Sequence, residues 1–241
     1  FKAAESYKIL NSNAVRNAVL AISILDLENI SAHLDLTLAL HFEVFRLKGW
    51  ERFSALLAGS GISEKFRSEA DISFVEEAKN NQRILINALK SLRDSLEETV
   101  VDLSSVTSAV NSFADHSYQR IYSLLKTDGV QRPQGLVYGE SNFGFLGLLN
   151  LAAEIKAEME SKTDLGEQSL GLQRLLAIEL LLLTQSMEFV RPLKSSSKIE
   201  AFYSRVRHYI KPLIADRFLE FDLERMLTLV RSGSLLPESK E

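Results

Sequence analysis

The chain has 241 residues, 46% hydrophobic and 25% charged, with a formal charge of −4 at pH 7 and no cysteine. A chain of this length buries roughly 70–75% of its unfolded surface, so a substantial core is expected and disorder of the whole chain is not. The acidic balance argues against a nucleic-acid partner, which needs a basic footprint, and the lack of cysteine excludes disulfides and thiol nucleophiles while permitting a reducing compartment.

The chain starts at Phe1 rather than Met, the start expected of a trimmed or partial chain, and shows no basic-then-apolar leader. Residues 14–48 and 62–128 contain neither Gly nor Pro, so long helices are expected. Between Leu34 and Val44 the alternate residues Leu34, Leu36, Leu38, Leu40, Phe42 and Val44 have the period of a strand. They also form two rows at helical spacing, and without flanking turn residues the stretch reads as a helix buried on most sides. From Val75, steps of three and four meet Ala78, Gln82, Leu85, Leu89, Leu92, Leu96, Thr99, Leu103, Val106, Val110, Phe113, Ser117, Arg120 and Leu124. This seam predicts one central helix over about 72–126, the longest element of the chain. The alternative is two shorter helices with a kink near Ser104-Ser105.

A loop is expected over Thr127 to Ser141, followed by a helix from Asn142 to Ser161. The apolar segment Leu170 to Val190 predicts the next helix. Its densest run, Leu175 to Leu183, is interrupted by Glu179 and falls short of the ~20 residues that span a bilayer. No membrane partner and a cytoplasmic location are therefore expected. Ser197-Lys198-Ile199-Glu200 reads as a capping box, with a helix ending before Pro212. Asp222 is expected to cap a last helix that stops at Gly233, giving C-terminal helices within 170–236. The expectation is a single all-α domain over 1–241, an elongated bundle of long helices.

Few residues suggest chemistry. His33, His41, His116 and His208 make no metal-ligand spacing and read as core or solvated side chains. Glu76-Glu77 and Glu97-Glu98 point apart on a helix. Ala58-Gly59-Ser60-Gly61 reads as a helix stop rather than an anion cradle, and Arg205, Arg207 and Lys211 form a cluster too small to matter. Function is not legible from composition and spacing.

A resemblance carries further. Leu176-Ala177-Ile178-Glu179-Leu180-Leu181, then Gln185 to Ser196 with its Phe189-Val190-Arg191-Pro192-Leu193-Lys194, then Asp216-Arg217-Phe218-Leu219 and Leu229-Val230-Arg231-Ser232-Gly233, are similar to the ends of the histidine and phenylalanine ammonia-lyases. Weaker similarity runs upstream. Glu5 to Asn13 resembles "E-G-L-A-L-I-N-G-T", with Asn11 keeping the asparagine. Leu56 to Ser60 follows the family order, and Leu96 to Thr107 resembles the segment ending in "E-L-N-A-V-T-D-N-P". Asn142-Phe143-Gly144 resembles "N-F-H-G" without its histidine.

The chain is thus similar to a degenerate C-terminal two-thirds of an aromatic amino-acid ammonia-lyase. That family makes an electrophilic methylidene-imidazolone from Ala-Ser-Gly, and this tripeptide is absent from the sequence. The resemblance places Glu76 and Lys79 at the tyrosine and arginine of the family's "Y-S-L-R", where lysine lacks the bidentate fork suited to a carboxylate. The "Q-E-D-H" loop is reduced to Gly166-Glu167-Gln168-Ser169, and about a helix is missing between Gly171 and Leu175. What the resemblance implies for a site is Asn11 as the surviving catalytic residue, with Asn142, Phe143, Lys79 and Glu167 at substrate positions. It implies no metal, and no cofactor in this chain unless a partner chain supplies it. A non-catalytic relative acting through helical assembly is the leading expectation, as a homo-oligomer (tetramer first, dimer second) or with an active lyase chain. The alternatives are one part of a split lyase, or a coiled-coil interaction module without any lyase link.

Overall fold

The computed structural model describes residues 13–47, 50–62, 73–96, 98, 100–125, 132–139 and 141–236. Among these residues the regular structure is helical, with no strand. The main elements are α1 (Asn13–Phe45), α2 (Ser73–Asp94), α3 (Ser104–Leu125), α4 (Gly147–Ser161), α5 (Leu165–Ser186), α6 (Ser197–Tyr209) and α7 (Glu220–Arg231). The all-α expectation holds. The stretch whose residues alternate from Leu34 to Val44 is helical, and its six apolar side chains are at most 2% exposed.

α5 is the axis of the bundle, because α1, α3, α4 and α7 all pack against it. Every side chain from Leu175 to Ser186 is buried, which is why the sequence there lacks a polar face. The span Leu165–Val190 is long and apolar enough to cross a membrane, although the apolar run alone was too short. Its most apolar 18-residue window has a mean hydropathy of 1.2 and is 89% buried inside the bundle, the setting of a core helix. Gly171 lets α4 approach, since a Cβ there would stand 2.3 Å from Met159 Cγ. Asp164 caps the helix by accepting from Glu167 N at 2.9 Å.

The continuous helix expected over 72–126 is instead two, α2 and α3 (Ile72 and Lys126 lie outside the described residues). α2 ends at Asp94, and Asp102 marks the start of α3. The Asp102 carboxylate accepts from Ser104 N and Ser104 Oγ, both at 2.9 Å, where the new helix starts. The two helices fold back on each other. Asn81 meets His116 at 3.0 Å and Glu77 meets His116 at 3.3 Å, pairings that centre on residue 98 or so, as in an antiparallel hairpin. The seam itself survives as the buried face of each half, with Val75, Ala78, Leu85, Leu89 and Leu92 on α2 and Val106, Val110 and Phe113 on α3. The linker happens to be long enough to keep the heptad step, so spacing alone could not reveal the break.

Four boundaries differ. α5 begins at Leu165 rather than Leu170 and passes into a 3-10 turn over Met187–Val190. α4 starts at Gly147 rather than Asn142, because residues 141–146 are a turn in which Gly144 takes φ +58°. The cap of α6 is Ser196, not Ser197. Its Oγ accepts from Ile199 N at 3.3 Å, and Glu200 accepts from Ser195 N at 2.7 Å. Asp222 does not cap α7. It lies inside the first turn and accepts from Arg217, while Gly233 ends the helix at φ +65° as expected.

Candidate functional site

The polar centre of the molecule is built from residues that interrupt apolar patterns. Glu179 is fully buried on α5. Its Oε1 accepts from Arg120 Nε at 2.6 Å and faces His41 Nε2 at 2.9 Å. Its Oε2 accepts from Ser117 Oγ at 2.7 Å and Arg120 Nη2 at 3.1 Å. Thus α1, α3 and α5 meet on one carboxylate. Burial pushes the Glu179 carboxyl up, but the Arg120 guanidinium and the His41 contact outweigh it and hold it down at about 2. Burial lowers the His41 imidazole despite its bond to Glu179, so the ring is neutral at pH 7 and its Nε2–H donates to the carboxylate.

Beside this centre, His41 stacks on Phe45 with ring centroids 5.7 Å apart. Phe45 in turn carries the Arg132 guanidinium over its face at 4.4 Å. A second buried carboxylate, Glu43, accepts from Ser60 Oγ at 2.9 Å in the turn after Leu57. At the far end of α5, Gln185 ties down two loops. Its Nε2 donates to Leu136 O and Leu213 O, and its Oε1 accepts from Leu213 N.

The residues implied by the resemblance do not converge on this centre. Asn11 lies outside the described residues. Lys79 donates to Asp35 on α1 and, at 3.3 Å, to Gln82. Glu76 is paired with Arg52. Glu167 stands in the first turn of α5, 3.4 Å from Lys162 and more than half exposed. Asn142 donates to Tyr138 O at 2.7 Å. Phe143 is 75% exposed, while its N and that of Gly144 donate to the Asp216 carboxylate at 2.9 and 2.7 Å. Sequence reasoning missed His41, Ser117 and Arg120 as one group. The available signal was a polar residue at a seam or run position, where Ser117, Arg120 and Glu179 each break an otherwise apolar pattern. Among the described residues no group of three or more acidic or histidine side chains is arranged to hold a metal ion.

No family model matches the chain. Histidine ammonia-lyase from Bos taurus is 46% identical over 52 residues, which are 22% of this chain and 8% of that protein. The crystal structure of histidine ammonia-lyase from Trypanosoma cruzi superposes with a TM-score of 0.73 at 20% identity, covering 91% of this chain and 56% of that one. Ergothionase from Treponema denticola, an ergothioneine-degrading enzyme, gives 0.76 at 15% identity, covering 93% and 61%. The chain therefore has the helical fold of these enzymes and spans under two thirds of their length.

Proposed function

The chain is related to the aromatic amino-acid ammonia-lyases, and we propose that it is a non-catalytic relative that acts through assembly of its helical bundle. The observation that carries this reading is the saturation of the buried centre. Glu179 takes four hydrogen bonds from His41, Ser117 and Arg120, about all that one carboxylate can accept. No base is left free there to remove a proton.

The residues of this chain do not fit the electrophile of that lineage. Ala-Ser-Gly is absent, and the nearest composition, Ala58-Gly59-Ser60-Gly61, is a turn whose Ser60 is 1% exposed. Its hydroxyl is spent on the Glu43 carboxylate and on Ile62 N. Assembly is supported by an apolar stripe on the outer face of α1. Val15 and Val19 are 46% exposed and Ile22 and Leu25 61%, spaced by four, three and three as in a helix–helix seam.

Ammonia release from histidine, phenylalanine and tyrosine by the purified chain is the test. None above background is expected, since losing a covalent electron sink removes on the order of 10 kcal/mol of barrier lowering. Activity in the isolated chain would overturn the proposal. A second reading, one part of a split lyase, is favoured by the helical fold shared over 91–93% of this chain with enzymes of that lineage. It requires activity that appears when a chain carrying Ala-Ser-Gly is added and that depends on Asn11.

A further inference from the structure

Arg132 is only 8% exposed, and among the described residues none of its three guanidinium nitrogens has a hydrogen-bond partner. A buried cation in that condition is anomalous, because a charge out of water is normally paired or coordinated. Burial and the nearby Arg46 charge push its pKa down to about 10, so it still carries its proton at pH 7. Phe45 covers one face of the guanidinium, and its in-plane edge, with its forked donors, is buried without a hydrogen bond among the described residues. Arg46, beside it, takes φ +54° at the end of α1, which turns the chain there rather than continuing the helix.

We propose that Arg132 is the anchor of a site for a small carboxylate anion, bound in the guanidinium plane above the Phe45–His41 stack. A planar carboxylate matches the fork with two parallel hydrogen bonds, and acetate or formate is smaller than a tetrahedral phosphate, which a buried site admits less readily. The anion also offsets the mutual repulsion of Arg132 and Arg46. Glu179 does not serve, because its hydrogen bonds go to His41, Ser117 and Arg120. Entry needs local opening near Arg132. Among the described residues next to it the regular structure is a three-residue helical turn, Gln134–Leu136, so such opening breaks little of it. The site is independent of whether the chain is catalytic.

The experiment follows thermal unfolding of the whole chain at constant ionic strength with sodium acetate, sodium formate, sodium phosphate or neutral acetamide. Acetate and formate should raise Tm in a saturable way, phosphate less, and acetamide not at all. Arg132→Gln should weaken the acetate response at least about tenfold while folding normally, since it removes an unpaired buried charge. Phe45→Leu, which keeps the guanidinium, should retain the response; this second variant covers the case in which Arg132→Gln fails to fold. Four outcomes would overturn the proposal: an equal response in Arg132→Gln, an equal response to phosphate, loss of the response in Phe45→Leu, or no response to any anion. A response that grows only with protein concentration would overturn it too, by assigning the carboxylate to a second copy of the chain.

Discussion

His41 on α1 and Glu179 on α5 stand 2.9 Å apart, 138 residues apart in sequence, with side chains only 2% and 0% exposed. Arg120 completes the charge balance from α3. Two of the helices that wrap the axis, α1 and α3, are therefore tied to one buried carboxylate on α5. Removing one partner of such a group leaves the rest uncompensated in a dry environment, which is worse than removing the whole group. Glu179→Leu is expected to destabilise the chain by about 3–5 kcal/mol. Adding Arg120→Met should recover part of that loss. Chemical denaturation of the two single variants and the double variant measures it. Additive losses would remove the argument that Arg120 and Glu179 act as one unit.

Acid should weaken the fold in two stages. The His33 and His41 imidazoles are lowered, mainly by burial. The unfolded chain therefore binds more protons below its ordinary value of 6.5, and stability falls as pH drops through that point. The Glu179 carboxyl is held at about 2 in the fold against an ordinary 4.5. Its contribution is full above pH 4.5 and is lost as pH falls from there toward 2. A Tm profile from pH 8 to 3 should fall monotonically, and Glu179→Gln should flatten the lower stage. A profile that rises between pH 7 and 5 would contradict the sign.

Gly144 and Gly135 cross closely. A Cβ on Gly144 would lie 2.2 Å from Gly135 O, and φ there is +58°. Phe145 N donates to that same oxygen at 2.9 Å. Gly144→Ala should therefore cost about 3 kcal/mol or more, from left-handed backbone strain together with a backbone clash. Gly147, where a Cβ meets nothing within 4 Å, is the internal control. Gly147→Ala should be neutral or slightly stabilising, because alanine is favoured inside a helix. Equal Tm values for the two variants would refute the packing account.

The α1 stripe should govern assembly. Ile22→Lys with Leu25→Glu places charge in the exposed apolar row, while the buried side of α1 keeps Leu20, Ile24 and Leu27. Sedimentation at micromolar concentration should show an oligomer for the native chain and a monomer of about 27.1 kDa for the variant, with unchanged helical content. A monomeric native chain would refute the assembly reading.

What the sequence determined by itself was periodicity and exclusion. Scarce glycine and proline, the row Leu34 to Val44 and the seam from Val75 to Leu124 placed the apolar faces of α1, α2 and α3, because helical spacing is a local property. The ends that it missed depend on side-chain hydrogen bonds between neighbours: Asp102 to Ser104, Ser196 to Ile199, and the backbone crossing of Gly135 and Gly144. Local pattern does not rank such competing caps. The break between Asp94 and Ser104 was invisible because the heptad step passes unchanged through the linker. The candidate site was half legible, since Ser117, Arg120 and Glu179 each stood out as polar residues in apolar positions. Only the tertiary structure could join them to His41, as partners 59 to 138 residues apart meet only when α1 and α3 close on α5. It also decided that Arg132 is buried without a hydrogen-bond partner among the described residues, which burial creates and no sequence window contains.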